Sequence, residues 1–214
     1  STRWRLIDLG GLRPKACIAK ALELSKKIKY RIEEGNAYLN LGNSNIILGN
    51  YPKALECFSK AQEVFESELN ANTENKDAVK NGLARAYGSI GIVFSEQSNY
   101  SKALQFHLKA VKIYEENKEE ARAARIYNNI GIVYQAQNEE FKALDYFIKA
   151  QKIQEKIGDN TVGITTTNIG NIYLKQQNYA KAWEYYSKAQ ELFTKSPDSR
   201  GLGELYNNLG SYYV

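Results

Sequence analysis

The sequence offers few side chains that could carry out catalysis. His107 is the single histidine, and no triad signature or Cys/His cluster surrounds it in the sequence. The two cysteines, Cys17 and Cys57, lie 40 residues apart and form neither a disulfide framework nor a metal-ligand set. No glycine-rich phosphate loop is present. We therefore expect no catalytic residue, no metal site and no cofactor, and we expect that this chain is not an enzyme.

Asparagine recurs at a spacing that a binding surface could use. The series with intervals of 49, 40, 39 and 40 residues consists of Asn40, Ser89, Asn129, Asn168 and Asn208. An asparagine amide both donates and accepts hydrogen bonds, so this series could pair with the backbone N–H and C=O groups of an extended peptide. The structural alternative is that each side chain bonds to its neighbour in the next repeat and stiffens the stack.

Two accompanying series keep the same intervals. One lies a helical turn before the asparagines and includes Arg85 and Arg125, which could bind a carboxylate of a ligand. The other lies a turn after them and consists of Asn43, Ile92, Ile132, Asn171 and Ser211. Ile92 and Ile132 would add an apolar pocket. Steps of three and four residues place the three series on one side of a helix.

A repeated glycine marks the frame of these series. The marker glycines are Gly42, Gly91, Gly131, Gly170 and Gly210. Around each glycine, apolar residues recur at steps of three and four, as at Tyr127, Ile130 and Tyr134. After a polar break, small and aromatic residues recur in the same way, as at Ala143 and Phe147. Each repeat is therefore predicted to form two amphipathic helices, and the constant period predicts stacked helix pairs.

The repeats predict one domain over residues 14–214, preceded by a leader at residues 1–13. Its parts are a partial repeat (14–31), repeat 1 (32–74), repeat 2 (75–118), repeat 3 (119–157), repeat 4 (158–198) and a half-repeat (199–214). Nine extra residues fall near positions 66–78, and they could form a loop or lengthen the helices that flank them. The sequence has no methionine and stops inside a repeat, so we interpret it as a segment of a longer protein.

Composition narrows the kinds of partner. No apolar run is long enough to span a membrane. The net charge is +5, but glutamates are mixed with the lysines, so we expect no nucleic-acid partner. Lysines recur in pairs seven residues apart, and these are predicted to form a solvated outer face: Lys53 and Lys60, Lys102 and Lys109, Lys142 and Lys149, Lys181 and Lys188. Helix axes pack about 8–10 Å apart, a poor fit to disulfide geometry, so we expect two packed thiols and a reducing, cytoplasmic location.

The order aromatic, Ile/Leu-Gly, Tyr, Ala, Phe, Ala over residues 32–214 resembles the tetratricopeptide repeat. The period is nearer 40 residues than the family's usual value of about 34. In this it resembles the repeats of kinesin light chain, of cell-polarity adaptors, of Rap-type phosphatases and of repeat-bearing histidine kinases. The resemblance implies an all-α fold, a right-handed superhelix of stacked antiparallel helix pairs whose first helices line a concave groove. Similar asparagine rows bind extended peptides in those relatives.

The implied groove gives the three series a common location. The candidate peptide-binding residues are Asn40, Asn43, Arg85, Ser89, Ile92, Arg125, Asn129, Ile132, Asn168, Asn171 and Asn208. A carboxylate clamp for chaperone tails is not expected, because Leu39 stands where that pattern needs a polar residue. We therefore predict a protein-interaction module that binds an extended peptide or partner segment, as part of a larger regulatory or signalling protein. The alternative is a structural scaffold that uses its convex face or its loops.

Two further expectations concern packing. His107 occupies the position at which the other repeats have Phe58, Phe147 and Tyr186, so we expect it to be a core residue. Leu205, Leu209 and Tyr213 form an apolar face in the half-repeat and lack a following helix that would cover them. Exposed apolar faces associate, which predicts end-to-end self-association.

Overall fold

The described part of the chain is all helical. The computed structural model describes Ile18, Lys20, Leu22 and Glu23, then residues 30–71, 75–195 and 199–212. Over the last three ranges the helices are α1 (Arg31–Ile47), α2 (Tyr51–Asn70), α3 (Lys76–Glu96), α4 (Tyr100–Glu116), α5 (Glu120–Ala136), α6 (Glu140–Ile157), α7 (Val162–Lys175), α8 (Tyr179–Lys195) and α9 (Ser199–Tyr212). The prediction of two helices per repeat is confirmed.

The chain divides into two compact units, Ser1–Asn117 and Lys118–Val214. In the N-terminal unit, α1 pairs with α2 and α3 pairs with α4, and α3 packs on both α2 and α1. In the C-terminal unit, α5 pairs with α6 and α7 pairs with α8, while α7 packs on α6 and α9 packs on α8. Within each unit this is the predicted all-α arrangement of stacked helix pairs.

A left-handed residue opens the turn between the two helices of each full repeat. The residues with positive φ at this position are Gly49 (70°), Ser98 (58°), Asn138 (61°) and Gln177 (57°). An L side chain is strained there, and glycine is not. The next residue caps the second helix in three repeats: Asn50, Asn99 and Asn178 accept a hydrogen bond from the backbone N–H three residues later, at 3.3, 3.3 and 3.2 Å.

In each full repeat, the marker glycine makes room for one ring. A Cβ at Gly42 would lie 2.3 Å from Cε1 of Phe58, and a Cβ at Gly131 would lie 2.5 Å from Cε1 of Phe147. The alanines on either side of these rings are fully buried, as are the rings themselves. Close packing of this kind tolerates no added methyl group, which explains why glycine recurs in this frame.

The extra residues between repeats 1 and 2 lengthen helices. Helix α2 has 20 residues and α3 has 21, against 17 in α4, α5 and α8. The ring of Phe65, at a position shared by the other repeats, packs against two glycines: it lies 2.6 Å from a Cβ built at Gly35 and 2.4 Å from one built at Gly82. Residues 72–74 lie outside the described ranges, so the link itself is not assigned.

The expectation that Leu205 in the half-repeat would be uncovered was wrong. This side chain is fully buried, in a cluster with Tyr186 and Phe193 of α8. Leu209 is partly buried against the same cluster, and Tyr213 lies outside the described residues. Helix α9 packs its apolar stripe back on repeat 4, so this stripe is not the exposed face on which the prediction of self-association depends.

Two remaining observations concern the cysteines and the membrane. Cys57 is buried with a free thiol, and burial raises its pKa. Cys17 lies outside the described residues, so the predicted absence of a bridge stays a prediction. Over the described ranges, none of the helices combines the length and the apolar character needed to cross a bilayer.

Candidate functional site

In the N-terminal unit the candidate residues lie on α1 and α3, the first helices of repeats 1 and 2. Arg85 on α3 donates a hydrogen bond from Nη1 to Oδ1 of Asn36 on α1, at 3.1 Å. Both side chains are half-buried. Asn36 therefore orients the guanidinium group, and the remaining donors of Arg85 stay available to an anion.

The rest of this face is open. Asn40 and Asn43 are exposed on α1, Ser89 is half-buried on α3, and Ile92 is 36% exposed. Within the described ranges, the amide of Asn40 has no hydrogen-bond partner. The N-terminal unit thus places an oriented arginine, two exposed amides and an exposed isoleucine on two neighbouring helices.

In the C-terminal unit, an open stripe lies on α5. Arg125, Asn129 and Ile132 follow at steps of four and three residues, which aligns them along one side of the helix. Arg125 is exposed, Asn129 is half-buried and Ile132 is 41% exposed. In the part of the chain that the structure describes, the side chains of Arg125 and Asn129 make no hydrogen bond or ion pair.

The asparagines of α7 have a different environment. Asn168 donates a hydrogen bond from Nδ2 to Oδ1 of Asn128 in repeat 3, at 3.1 Å, and Thr165 donates to the same oxygen at 3.2 Å. Asn171 accepts a 2.8 Å hydrogen bond from the hydroxyl of Tyr186. At Asn168 this is the neighbour contact that the stack-stiffening alternative describes. Asn208 on α9 is half-buried.

Two positions acquire roles that the sequence argument did not assign. Asn36 orients Arg85. The sequence clue was that Asn36 has the same place in repeat 1 as Arg85 has in repeat 2. Asn128 accepts two hydrogen bonds from the next repeat. The sequence clue was that two asparagines, Asn128 and Asn129, stand side by side. The side chain of Ser211 lies outside the described residues.

The paired lysines are exposed, but they do more than face solvent. Wherever the first helix of a repeat has a ring at the matching position, the lysine ammonium lies over it. The distances from Nζ to the ring centroid are 5.9 Å for Lys60 over Tyr38, 5.1 Å for Lys102 over Phe94, 5.3 Å for Lys109 over Tyr87, 5.5 Å for Lys142 over Tyr134, 3.9 Å for Lys149 over Tyr127 and 4.9 Å for Lys181 over Tyr173. These cation–π contacts join the two helices of a pair.

Some of the rings beneath these lysines also stack on a ring of the second helix. Phe94 stacks on Phe106 with centroids 5.7 Å apart, and Tyr134 stacks on Tyr146 at 5.5 Å. Tyr87 donates a hydrogen bond to Oε1 of Glu66 at 2.9 Å, and burial together with this carboxylate raises the pKa of Tyr87 to about 12. This side of the helix pairs is therefore occupied by intramolecular contacts.

His107 is a core residue, as expected. It is 1% exposed, and its ring packs against Gly91, where a Cβ would lie 2.6 Å from Cε1. Its Nδ1 atom is buried without a hydrogen-bond partner, and burial lowers its pKa to about 4. Over the described ranges, no cluster of three His, Cys, Asp or Glu residues could hold a metal ion.

Comparison with known proteins identifies the repeats. Two family models, both described as tetratricopeptide repeat, match the chain: one over residues 33–116 and 161–214, the other over residues 123–157. A sequence search of curated proteins gives no match.

Solved structures with the same fold include three at low sequence identity. The apo form of RapI has a TM-score of 0.79 at 19% identity, over 99% of this chain and 56% of RapI. BtubC (BKLC) from P. vanneervenii has a TM-score of 0.77 at 19% identity, over 95% of this chain and 83% of BtubC. Aspartyl phosphate phosphatase F from Bacillus subtilis has a TM-score of 0.78 at 22% identity, over 88% of this chain and 48% of the phosphatase.

The chain thus spans about half the length of RapI and of the phosphatase, and at these identities the likeness concerns the fold. The family models cover most of the sequence and match parts of all four full repeats and the half-repeat. The chain therefore belongs to the tetratricopeptide repeat family.

Proposed function

We propose that this chain is a protein-interaction module whose first helices bind an extended peptide or partner segment. The observation that carries the proposal is the stripe on α5, where Arg125, Asn129 and Ile132 align with no hydrogen bond or ion pair to Arg125 or Asn129 among the described residues. Polar groups held on a rigid helix without internal partners suit an external ligand, because binding then costs little reorganisation.

The chemistry of the stripe suggests the chemistry of its ligand. The amide of Asn129 can donate to a peptide C=O and accept from a peptide N–H, which needs no particular ligand side chain. Arg125 favours a carboxylate, and Ile132 favours an apolar side chain. The proposed ligand of the C-terminal unit is therefore an extended segment with one acidic and one apolar residue.

The N-terminal unit offers the same three chemistries on two helices. Arg85, oriented by Asn36, would bind the carboxylate, the amides of Asn40 and Asn43 would bind the backbone, and Ile92 would bind the apolar group. Solenoid repeats present extended surfaces of this kind to their partners. A role in a larger regulatory or signalling protein belongs to the same proposal.

Asn168 and Asn171 contribute differently in this proposal. Because their amides already bond to Asn128 and Tyr186, they would position the surface more than contact the ligand. Asn208 and Ser89 remain candidate ligand contacts.

The test begins with a random-peptide display screen against the whole chain. Peptides that bind are then measured by fluorescence anisotropy against Asn129→Ala and Ile132→Ser. A net hydrogen bond is worth about 0.5–1.5 kcal/mol, so we expect Asn129→Ala to weaken binding by roughly two- to tenfold. The matched control is Asn160→Ala, at an exposed asparagine in the turn before α7, which should leave the affinity unchanged.

The competing function is a structural scaffold that uses its outer face or loops. Peptides that bind equally well to Asn129→Ala and Ile132→Ser, with an unchanged Tm, would reject the proposed surface in the C-terminal unit. The corresponding variants in the N-terminal unit are Arg85→Met and Asn40→Ala. If all four leave every selected peptide unaffected, the scaffold interpretation replaces the proposal.

A further inference from the structure

Helix α7 has a composition that is poorly suited to a helix. Half of its 14 residues are β-branched, and it also contains two glycines and two asparagines. These residue types have low helix propensity because they lose side-chain or backbone freedom or compete for backbone hydrogen bonds. By contrast α5, the first helix of the preceding repeat, contains four alanines and two arginines in 17 residues. Most of the stability of α7 must therefore come from its neighbours.

Helices α6 and α7 contain an unusual number of buried polar side chains. Thr165, Thr166 and Thr167 on α7 are buried, as are Gln151 and Gln154 on α6. In the described ranges these five make up most of the buried polar side chains.

Part of this seam is apolar, since Phe147 of α6 packs with Ile169 and Ile172 of α7. Toward the start of α7, hydrogen bonds replace the apolar contacts. Gln151 donates to Oγ1 of Thr166 at 2.9 Å, and Gln154 donates to Oγ1 of Thr161 at 2.9 Å. The Oε1 atom of Gln154 is buried with no hydrogen-bond partner. An unsatisfied buried acceptor is destabilising.

The other repeats fill the same two positions with rings. The residues equivalent to Gln154 are Phe65, Tyr114 and Phe193, and those equivalent to Thr166 are Tyr38, Tyr87 and Tyr127. In the N-terminal unit the seam between α2 and α3 contains Phe65 and Tyr87, packed in or against one apolar cluster. The seam between α6 and α7 lacks both rings.

The low helix propensity of α7 and the polar contacts at its seam with α6 both make local opening easier. Water can replace the hydrogen bonds of a polar seam when it opens, whereas it cannot replace the burial of an aromatic ring. A helix of low propensity also gains little from staying helical once its neighbours separate. Proteins open locally where such contacts are weakest.

We infer that α7 is a conformational switch of the C-terminal unit, which opens locally at its polar seam with α6 while the α5/α6 pair stays folded. Opening breaks the bond between Asn168 and Asn128 and frees the amide of Asn128 beside Asn129. The consequence for ligand binding rests on the proposed function: the closed and open states would present different sets of amides. The opening itself does not depend on any ligand.

Amide hydrogen exchange of the whole chain, without ligand, tests the inference. We expect the buried amides of α7 around Ile169 to exchange at least about tenfold faster than those of α5 around Ile130, although both side chains are fully buried. Equal rates in the two helices would overturn the inference, because they would mean that the C-terminal unit opens as a whole.

Two variants then test the cause. Gln154→Leu removes the unsatisfied oxygen with little change of volume. Thr166→Tyr restores the ring found in the other repeats, and Glu155 stands where Glu66 accepts from Tyr87. Each variant should slow exchange in α7 by roughly three- to tenfold and leave α5 unchanged.

The matched control is Gln190→Leu, the same chemical change at an exposed position on α8, which should not alter exchange in α7. If Thr166→Tyr does not fold, Gln154→Leu decides the question by itself. Unchanged α7 exchange in every folded seam variant would refute the assignment of the opening to this seam. Because no ligand is present in these measurements, failure here leaves the proposed function standing, and failure of the peptide screen leaves the opening of α7 standing.

Discussion

Replacing His107 by phenylalanine is expected to remove a step of acid destabilisation from the N-terminal unit. The histidine is 1% exposed, its Nδ1 atom has no hydrogen-bond partner, and its pKa is lowered from 6.5 to about 4 by burial. Between these two values the unfolded chain binds a proton that the folded chain does not bind. Acidification therefore favours unfolding in this range.

The size and the sign of the effect follow from the two pKa values. The contribution of His107 to stability is fully present above pH 6.5, is lost as the pH falls, and levels off below a pH of about 4. The free energy of unfolding that is lost between these two pH limits is about 3 kcal/mol. Phenylalanine cannot be protonated. Repeat 1 already has a phenylalanine at the equivalent position, Phe58, which packs against the marker glycine Gly42.

The assay is urea unfolding followed by circular dichroism at several pH values from 7.5 to 4.5, for the unchanged chain and for His107→Phe. Carboxylates titrate in both proteins, so the difference between the two curves isolates the histidine. Because the sequence contains one histidine, its NMR titration also reports the pKa directly. The reciprocal control, Phe147→His, should introduce the same pH dependence into the C-terminal unit. A titration of His107 near 6.5, or parallel curves for the two proteins, would refute the reasoning.

Three further changes should alter the free energy of unfolding, measured by urea denaturation. Gly131→Ala should destabilise the protein by about 1–3 kcal/mol through overpacking, because the added Cβ would lie 2.5 Å from a ring. The control Gly203→Ala should be neutral or stabilising, because nothing lies within 4 Å of its Cβ. Lys109→Met should cost about 0.5–1 kcal/mol by removing a cation over two rings, and an equal loss in the exposed control Lys112→Met would contradict this explanation. Glu139→Asn should stabilise α6 by about 0.5–1 kcal/mol, because the other three full repeats have a capping asparagine at this position and Glu139 makes no side-chain cap. No increase in stability would show that the cap is not limiting in this repeat.

Much of the fold could be predicted from the sequence because the relevant signals are local. Steps of three and four residues mark the buried side of each helix, and the turn residues mark where each helix ends. The marker glycine and the ring 16 residues later, as at Gly131 and Phe147, recur with one period in the sequence, and the structure shows that they pack together. The predicted stacking followed from that period.

The candidate site could be predicted only as a set of positions. The sequence placed Asn129 and Asn168 in the same series, and nothing local distinguishes them. The structure separates them, since Asn168 bonds to Asn128 of the preceding repeat while Asn129 has no internal partner among the described residues. The pairing of Arg85 with Asn36 spans 49 residues of sequence in the same way.

The sequence by itself determined the helices, their buried stripes and the frame in which the repeats stack, because backbone geometry converts residue spacing directly into a helix face. Among the described residues, tertiary structure alone decided which polar side chains lack an intramolecular partner, which lysines cover rings, and that α9 packs Leu205 on α8. Each of these depends on side chains brought together from different helices. A repeat period indicates that two such residues occupy equivalent places, and only the packed structure determines whether they bond to each other or remain available to a partner.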